Sequence, residues 1–147
     1  MKIIIAGSGE VGSHLAKLLS YESQEITLID SNDEKLTFPN SQLDIKVIEG
    51  DCTSTSVLHT ANISDTDLFV GVTSSESVNL IACYLARKLG ARKTIARISN
   101  PEIIEAKNFD FSDLMLIFHQ KLGNFMISVL SCQISSRYIL LYIYCSN

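Results

Sequence analysis

Gly7-Ser8-Gly9-Glu10-Val11-Gly12 has the spacing G-x-G-x-x-G and lies between an apolar run and an amphipathic helical pattern. Such a loop holds a phosphate rather than breaking a bond. A glycine at 7 allows a tight turn, one at 9 lets a pyrophosphate approach bare backbone, and one at 12 lets helix and strand pack closely. The helix that opens there offers unpaired N–H groups and the positive end of its dipole to an anion. Eighteen residues beyond Gly12, a second apolar run ends in Ile29-Asp30. A dinucleotide-binding fold places there the acid that accepts hydrogen bonds from ribose hydroxyls. Asp30 would repel a 2′-phosphate, and Ser31-Asn32-Asp33 bring no arginine to neutralise one, so NAD(H) is expected over NADP(H). ATP or ADP, with the same ribose, also fits. The competing role for Asp30 is to cap the next helix, although Ser31 and Asp33 could serve that end equally.

Ligands of open α/β sheets bind outside the carboxyl ends of the strands, which singles out three further places. At Gly50-Asp51-Cys52, Asp51 and the Cys52 backbone could meet an adenine edge, or Asp51 could simply cap a turn. At Val72-Thr73-Ser74, small residues would let a cofactor lie across the sheet edge with Thr73 as a hydrogen-bond partner. Helix capping by Ser74 or Ser75 explains the serines as well. Arg97, near the end of the fifth run, could pair with a phosphate or carboxylate or form an exposed salt bridge. Hydride transfer also needs a proton donor or acceptor set against a substrate pocket. His14, His59 and His119 have no carboxylate or nucleophile partner nearby in sequence, and nothing basic flanks Cys52 to lower its thiol pKa. No cluster has zinc or calcium ligand spacing, and no Walker-type phosphate loop occurs. The residues suggest a nucleotide holder without a reaction, hence a sensor rather than an enzyme.

These residues need a frame. Apolar runs at 3–6, 26–29, 45–48, 68–72 and 94–98 alternate with helical patterns up to about Ser20, from Asp33, over 54–60 and over 76–89. Nearly continuous apolar strands separated by helices predict a parallel sheet covered on both faces. The expected fold is a single α/β domain, Rossmann-like and doubly wound. Val11, Leu15, Leu18 and Leu19, and later Val78, Ile81, Ala82, Leu85 and Leu89, are the expected sheet-facing stripes. The length of 147 residues suits one domain. A net charge of −4 supplies no basic field for nucleic acid. Cys52, Cys83, Cys132 and Cys145 form neither a CxxC pair nor a disulfide scaffold, and no signal peptide precedes the first run, so a cytoplasmic location is expected. Within the first 120 residues no uncharged apolar run approaches the roughly 18 to 20 residues that span a bilayer, so no direct membrane insertion is expected.

The segments "MKIIIAGSGEVGSHLAKLLS", "EITLIDSNDEKL" and "VIEGDCTSTSVLHTANISDTDLFVGVTSSESVNLIACYLARKLGARKTIARISNPE" resemble, in that order, the N-terminal nucleotide-binding domain of TrkA-type potassium-uptake regulators, the RCK or KTN domain. The likeness covers about residues 1–110. "FSDLMLIFHQKL" is similar to that family's sixth strand and the start of its next helix, which sets the domain at 1–122. The resemblance implies a cytoplasmic regulatory subunit that binds NAD(H) or ATP/ADP and gates potassium uptake. It further implies a homo-oligomeric ring beneath a membrane potassium transporter. Carried over by position, Gly7, Ser8, Gly9, Glu10 and Val11 would surround the phosphates, with Gly12 closing the motif. Asp30 would hold the ribose, Asp51 and Cys52 would lie near the adenine, Thr73 and Ser74 along the crevice, and Arg97 at a phosphate.

The chain also departs from that family, whose members continue into a C-terminal lobe or duplicate the whole unit. Residues 123–147, GNFMISVLSCQISSRYILLYIYCSN, fit no pattern of the family, carry one charged residue, Arg137, and are wholly apolar or aromatic over 138–145. Three readings fit this tail: an interface strand or helix in an oligomer, an aggregation-prone extension, or a non-native end from a truncated or shifted reading frame. Two rival functions also stand. One is the cofactor domain of a small NAD-dependent oxidoreductase, which would need a catalytic lobe beyond this length. The other is the cytoplasmic end of a potassium channel, which fits less well because no membrane helices precede the first strand.

Overall fold

In a computed structural model, residues 1–100 are described in full, followed by the backbone of strands within 115–145. The first half runs β1 (Lys2–Ala6), α1 (Glu10–Ser20), β2 (Glu25–Asp30), α2 (Asp33–Gln42), β3 (Lys46–Glu49) and α3 (Thr55–Thr60). A 3-10 turn at Ile63–Asp65 leads to β4 (Leu68–Gly71), α4 (Glu76–Lys88) and β5 (Lys93–Ile98). Then come β6 (Met115–Leu122), β7 (Phe125–Ser131), β8 (Gln133–Ile134), β9 (Arg137–Tyr138) and β10 (Tyr142–Cys145). Strands β3, β2, β1, β4, β5 and β6 lie side by side in that order, all parallel. The doubly wound α/β architecture expected from the sequence is the one observed. The order reverses between β1 and β4, and that switch point is where such a sheet opens a crevice at its carboxyl edge.

Both faces of the sheet are covered over β1–β5, which is why these strands read as unbroken apolar runs. Along β1, Ile3 and Ile5 join Ala16 of α1, Leu36 of α2, Leu28 and Val70 on one face. Ile4 and Ala6 join Leu58 of α3 and Ala82, Cys83 and Ala86 of α4 on the other. Full burial of a Val, Leu, Ile or Phe side chain contributes about 1.5–3 kcal/mol. The alternation therefore pins the register strongly, since a one-residue slip would exchange the two faces.

The helix stripes need correction at two positions. Leu18 and Ile81 are each 52% exposed, while the sheet-facing positions are Gly12 and Ala16 in α1 and Asn79, Ala82, Cys83 and Ala86 in α4. At about 100° per residue, the small side chains occupy the line of closest approach, and the leucines flank it. Beyond β5, the sixth strand suggested by resemblance is present, parallel to β5, and the backbone stays strand to Leu122, where the start of the next helix was expected. Strand β7 pairs antiparallel with β6 and β10 antiparallel with β7, while β8 and β9 form a separate two-stranded pair. Among the described residues no helix is long and apolar enough to cross a membrane.

Candidate functional site

The glycine loop turns at the carboxyl end of β1. Gly7 has φ +107°, and a Cβ placed there would lie 2.8 Å from the Thr73 amide nitrogen; both facts demand glycine. A Cβ on Gly12 would come within 1.8 Å of the Gly7 carbonyl oxygen, so the first turn of α1 rests directly on the loop. Gly9 differs: a Cβ there meets nothing within 4 Å, and its φ of −71° suits any residue. What a side chain at Gly9 would fill is the open side of the loop, at the N-terminus of α1, where an anion is favoured.

Ser8 faces inward. It is buried, its N–H donates to Asp30 Oδ2 at 2.6 Å, and its hydroxyl donates to the Lys35 carbonyl at 2.9 Å. The serine thus ties the loop to β2 and α2 through both its N–H and its hydroxyl. Asp30 also accepts from Asn32 N–H at 2.9 Å. It does not cap α2, because Asn32 does so by accepting from Glu34 N–H at 3.0 Å. The half-buried Asp30 carboxylate stands beside the loop with lone pairs in excess of these two bonds. Glu10 is exposed and Val11 packs against the core on the α1 face.

At the end of β3, Asp51 Oδ1 accepts from both the N–H and the hydroxyl of Thr53, at 2.8 and 2.7 Å. These bonds hold its carboxyl below the usual range. Cys52 is buried, and its thiol is pushed up to about 11, chiefly by burial and then by the Asp51 charge. The neutral thiol leaves only the Cys52 backbone available to a ligand. At the end of β4, Thr73 is gripped by the fully buried Asn79, whose Oδ1 accepts from Thr73 N–H at 2.8 Å and lies 2.7 Å from its hydroxyl. Asn79 Nδ2 donates to the carbonyls of Thr73, at 3.2 Å, and Arg97, at 3.0 Å. The half-buried Arg97 guanidinium donates to the same Thr73 carbonyl at 3.1 Å, while the ion pairs among the described residues are Lys2–Asp65 and Arg92–Asp67. Ser74 is exposed, and Ser75 caps α4 by accepting from Val78 N–H.

The fold therefore brings Gly7–Gly12, Asp30, Asp51, Cys52, Thr73, Ser74 and Arg97 to one edge of the sheet, in strand order on either side of the switch point. Sequence reasoning gave no role to Asn79 or to Glu76, whose carboxylate accepts from the N–H groups of Ser99 and Asn100 at 3.0 and 3.2 Å. A polar residue in the middle of the small-residue face of α4 was the available signal for Asn79. His14 and His59 are exposed on their helices, and the side chain of His119 lies outside the described residues. No group of three or more His, Cys, Asp or Glu among the described residues could hold a metal ion. At the opposite edge, a depression lined by Lys2, Glu25, Asp65, Asp67 and Arg92 has its charges largely paired with one another.

Residues 3–109 match the family model for the TrkA-N domain. The Trk system potassium uptake protein TrkA of Haemophilus influenzae is 40% identical over 114 residues, which are 77% of this chain and 25% of that protein. A Trk system potassium uptake protein TrkA homolog of Methanothermobacter thermautotrophicus is 40% identical over 106 residues, 72% of this chain and 49% of that one. The chain thus spans a quarter to a half of the length of these relatives. Among solved structures, the TrkA-N domain of the inner membrane protein ybaL from Escherichia coli superposes with a TM-score of 0.67 at 13% identity, covering 80% of this chain and 86% of that one. The GsuK channel bound to NAD gives 0.62 at 17% identity, covering 89% and 28%. A Kef C-terminal domain from Shewanella denitrificans in its AMP-bound form gives 0.57 at 22% identity, covering 78% and 70%. With most of its length matched by the family model and its sheet by the family's fold, this chain belongs to the TrkA-N domain family.

Proposed function

We propose that this chain is the nucleotide-sensing domain of a regulator of potassium uptake, and that it binds NAD(H), or alternatively ATP or ADP, without turning it over. The observation that carries the proposal is the glycine loop, where two glycines are required by packing and the third, Gly9, leaves the N-terminus of α1 open to a phosphate. Asp30 accepts from the ribose hydroxyls, and Asp51 and the Cys52 backbone lie on the adenine side. Amides of Gly9 to Val11 hold the phosphates, with Thr73, Ser74 and Arg97 on the far side of the switch point. The relatives' names support the potassium-transport reading, and the NAD and AMP bound by two structural neighbours support the choice of ligand.

The buried, neutral thiol and carboxylates that accept from backbone amides support binding without turnover. The domain occupies residues 1–122, with β6 as its last parallel strand, and 123–147 forms an appendage. Copies assemble into a ring on the cytoplasmic face of a membrane potassium transporter. A nucleotide gates that transporter by binding one arrangement of the ring more tightly than another. Thermal melts with NAD⁺, NADH, ATP, ADP and NADP⁺ test the ligand assignment. A ligand at 100 times its Kd stabilises by about 2.7 kcal/mol, which is expected for NAD(H) or the adenine nucleotides and not for NADP⁺. Oxidation of a small 2-hydroxy acid or amino acid with NAD⁺ would overturn the sensor reading.

A further inference from the structure

The β4–α4 loop is built on one side chain. Asn79 is 0% exposed and uses both ends of its amide, taking the Thr73 N–H and hydroxyl on Oδ1 and giving its N–H groups to the carbonyls of Thr73 and Arg97. It reaches them because α4 lies close on β4 at Gly71, where a Cβ would meet the Asn79 carbonyl oxygen at 3.2 Å and Cys83 Sγ at 3.1 Å. Burying a primary amide is costly unless its donors and acceptors are met. Here they are met by the main chains of two residues that end neighbouring strands. The geometry points to Asn79 as the positioning residue for one half of the nucleotide site, the half beyond the first phosphate.

The argument rests on the nucleotide reading above and follows from strand order. Asp30 and Asp51 lie on the β2–β3 side of the glycine loop, Thr73 and Arg97 on the β4–β5 side. Neighbouring strands are about 4.8 Å apart, so β5 stands roughly 10 Å from β1. A mononucleotide with its adenosine over β2 and β3 ends its single phosphate at the glycine loop. A dinucleotide, or the outer phosphates of a triphosphate, continues toward Thr73 and Arg97. Asn79 makes its side-chain hydrogen bonds to Thr73 and Arg97, and the Thr73 backbone in turn backs the glycine loop at Gly7, so its loss falls mainly on ligands that cross the switch point.

The test compares AMP with NADH and ATP by calorimetry on the wild-type chain and on Asn79→Ala. The expected result is a tenfold or greater loss for NADH or ATP, whichever the wild type binds, with AMP unchanged within threefold. If Asn79→Ala does not fold, Asn79→Asp keeps the shape and the acceptor while replacing the amide donor, and the same split is expected. Equal loss for AMP and the longer ligands would assign Asn79 a general structural role and overturn the inference, as would no loss for any of them. A wild-type chain that binds none of the three would overturn the nucleotide reading itself, and this inference with it.

Discussion

Gly9→Ala separates holding a nucleotide from holding the fold. The added methyl meets nothing within 4 Å, and the φ of −71° at Gly9 is open to alanine. Alanine is a poorer N-cap than glycine by about 0.5–1 kcal/mol, and its stiffer unfolded chain returns about 0.4–1 kcal/mol. The net change in stability is therefore within about 1 kcal/mol of zero. On the proposed reading the same methyl stands in the approach of a phosphate to the α1 amides, so affinity should fall at least tenfold, or about 1.4 kcal/mol. Gly12→Ala is the counterpart. Its Cβ would sit 1.8 Å from a backbone oxygen that cannot swing away, and the cost should reach or exceed the top of the usual overpacking range of about 1–3 kcal/mol. Urea denaturation reads the stabilities and calorimetric titration with NADH and ATP reads the affinities. A Gly9→Ala protein that binds like the wild type, or a Gly12→Ala protein that is as stable, would refute the reasoning.

Three other perturbations have defined outcomes. Asp30→Ala should weaken NADH binding by about 1–3 kcal/mol and lower stability by a similar amount, because Ser8 and Asn32 N–H groups lose their acceptor; an unchanged affinity in titrations well below the melting midpoint would remove Asp30 from the site. Stability should decline on the alkaline side, because the unfolded thiols ionise near pH 9 while Cys52 and Cys83 are held protonated to about 11 and about 12. The native state then binds more protons than the unfolded one through that window. Cys83→Ala should flatten the decline, and urea midpoints at pH 8, 9.5 and 10.5 that fall as steeply as the wild type's would contradict this. Thr53→Ala should raise the Asp51 pKa only part of the way toward its ordinary value, since it removes the hydroxyl bond and keeps the larger lowering contribution, that of the Thr53 backbone N–H; NMR titration of the Asp51 carboxyl checks it.

The frame was legible because burial on both sheet faces leaves a plain mark, five apolar runs separated by helical patterns, and each run lies within a residue or so of an observed strand. The glycine loop was legible for a different reason. Its spacing reflects close approaches that no other residue permits, and the φ at Gly7 and the contact at Gly12 are those approaches. The helix faces were less legible. Hydrophobic periodicity weights large side chains, whereas α1 and α4 meet the sheet through Gly12, Ala16, Asn79, Ala82, Cys83 and Ala86. That rotation left Leu18 and Ile81 outside, and it hid Asn79, whose role depends on main-chain groups 6 and 18 residues away. Ser8 shows the same limit, because motif position placed it at the phosphates and only the fold turns its hydroxyl to the Lys35 carbonyl. The sixth strand suggested by resemblance runs on to residue 122, where the start of a helix was expected; the strand at 125–131 pairs onto it, and the strand at 142–145 pairs onto 125–131.

Backbone amide NMR on the ¹⁵N-labelled chain, titrated with NADH and then ATP, tests the central claim most directly. The account predicts saturable shifts concentrated at Ser8, Gly9, Glu10, Val11, Asp30 and Thr73, along the carboxyl edge of the sheet. Shifts confined to the opposite edge around Lys2, Asp67 and Arg92, or none at millimolar nucleotide, would contradict it.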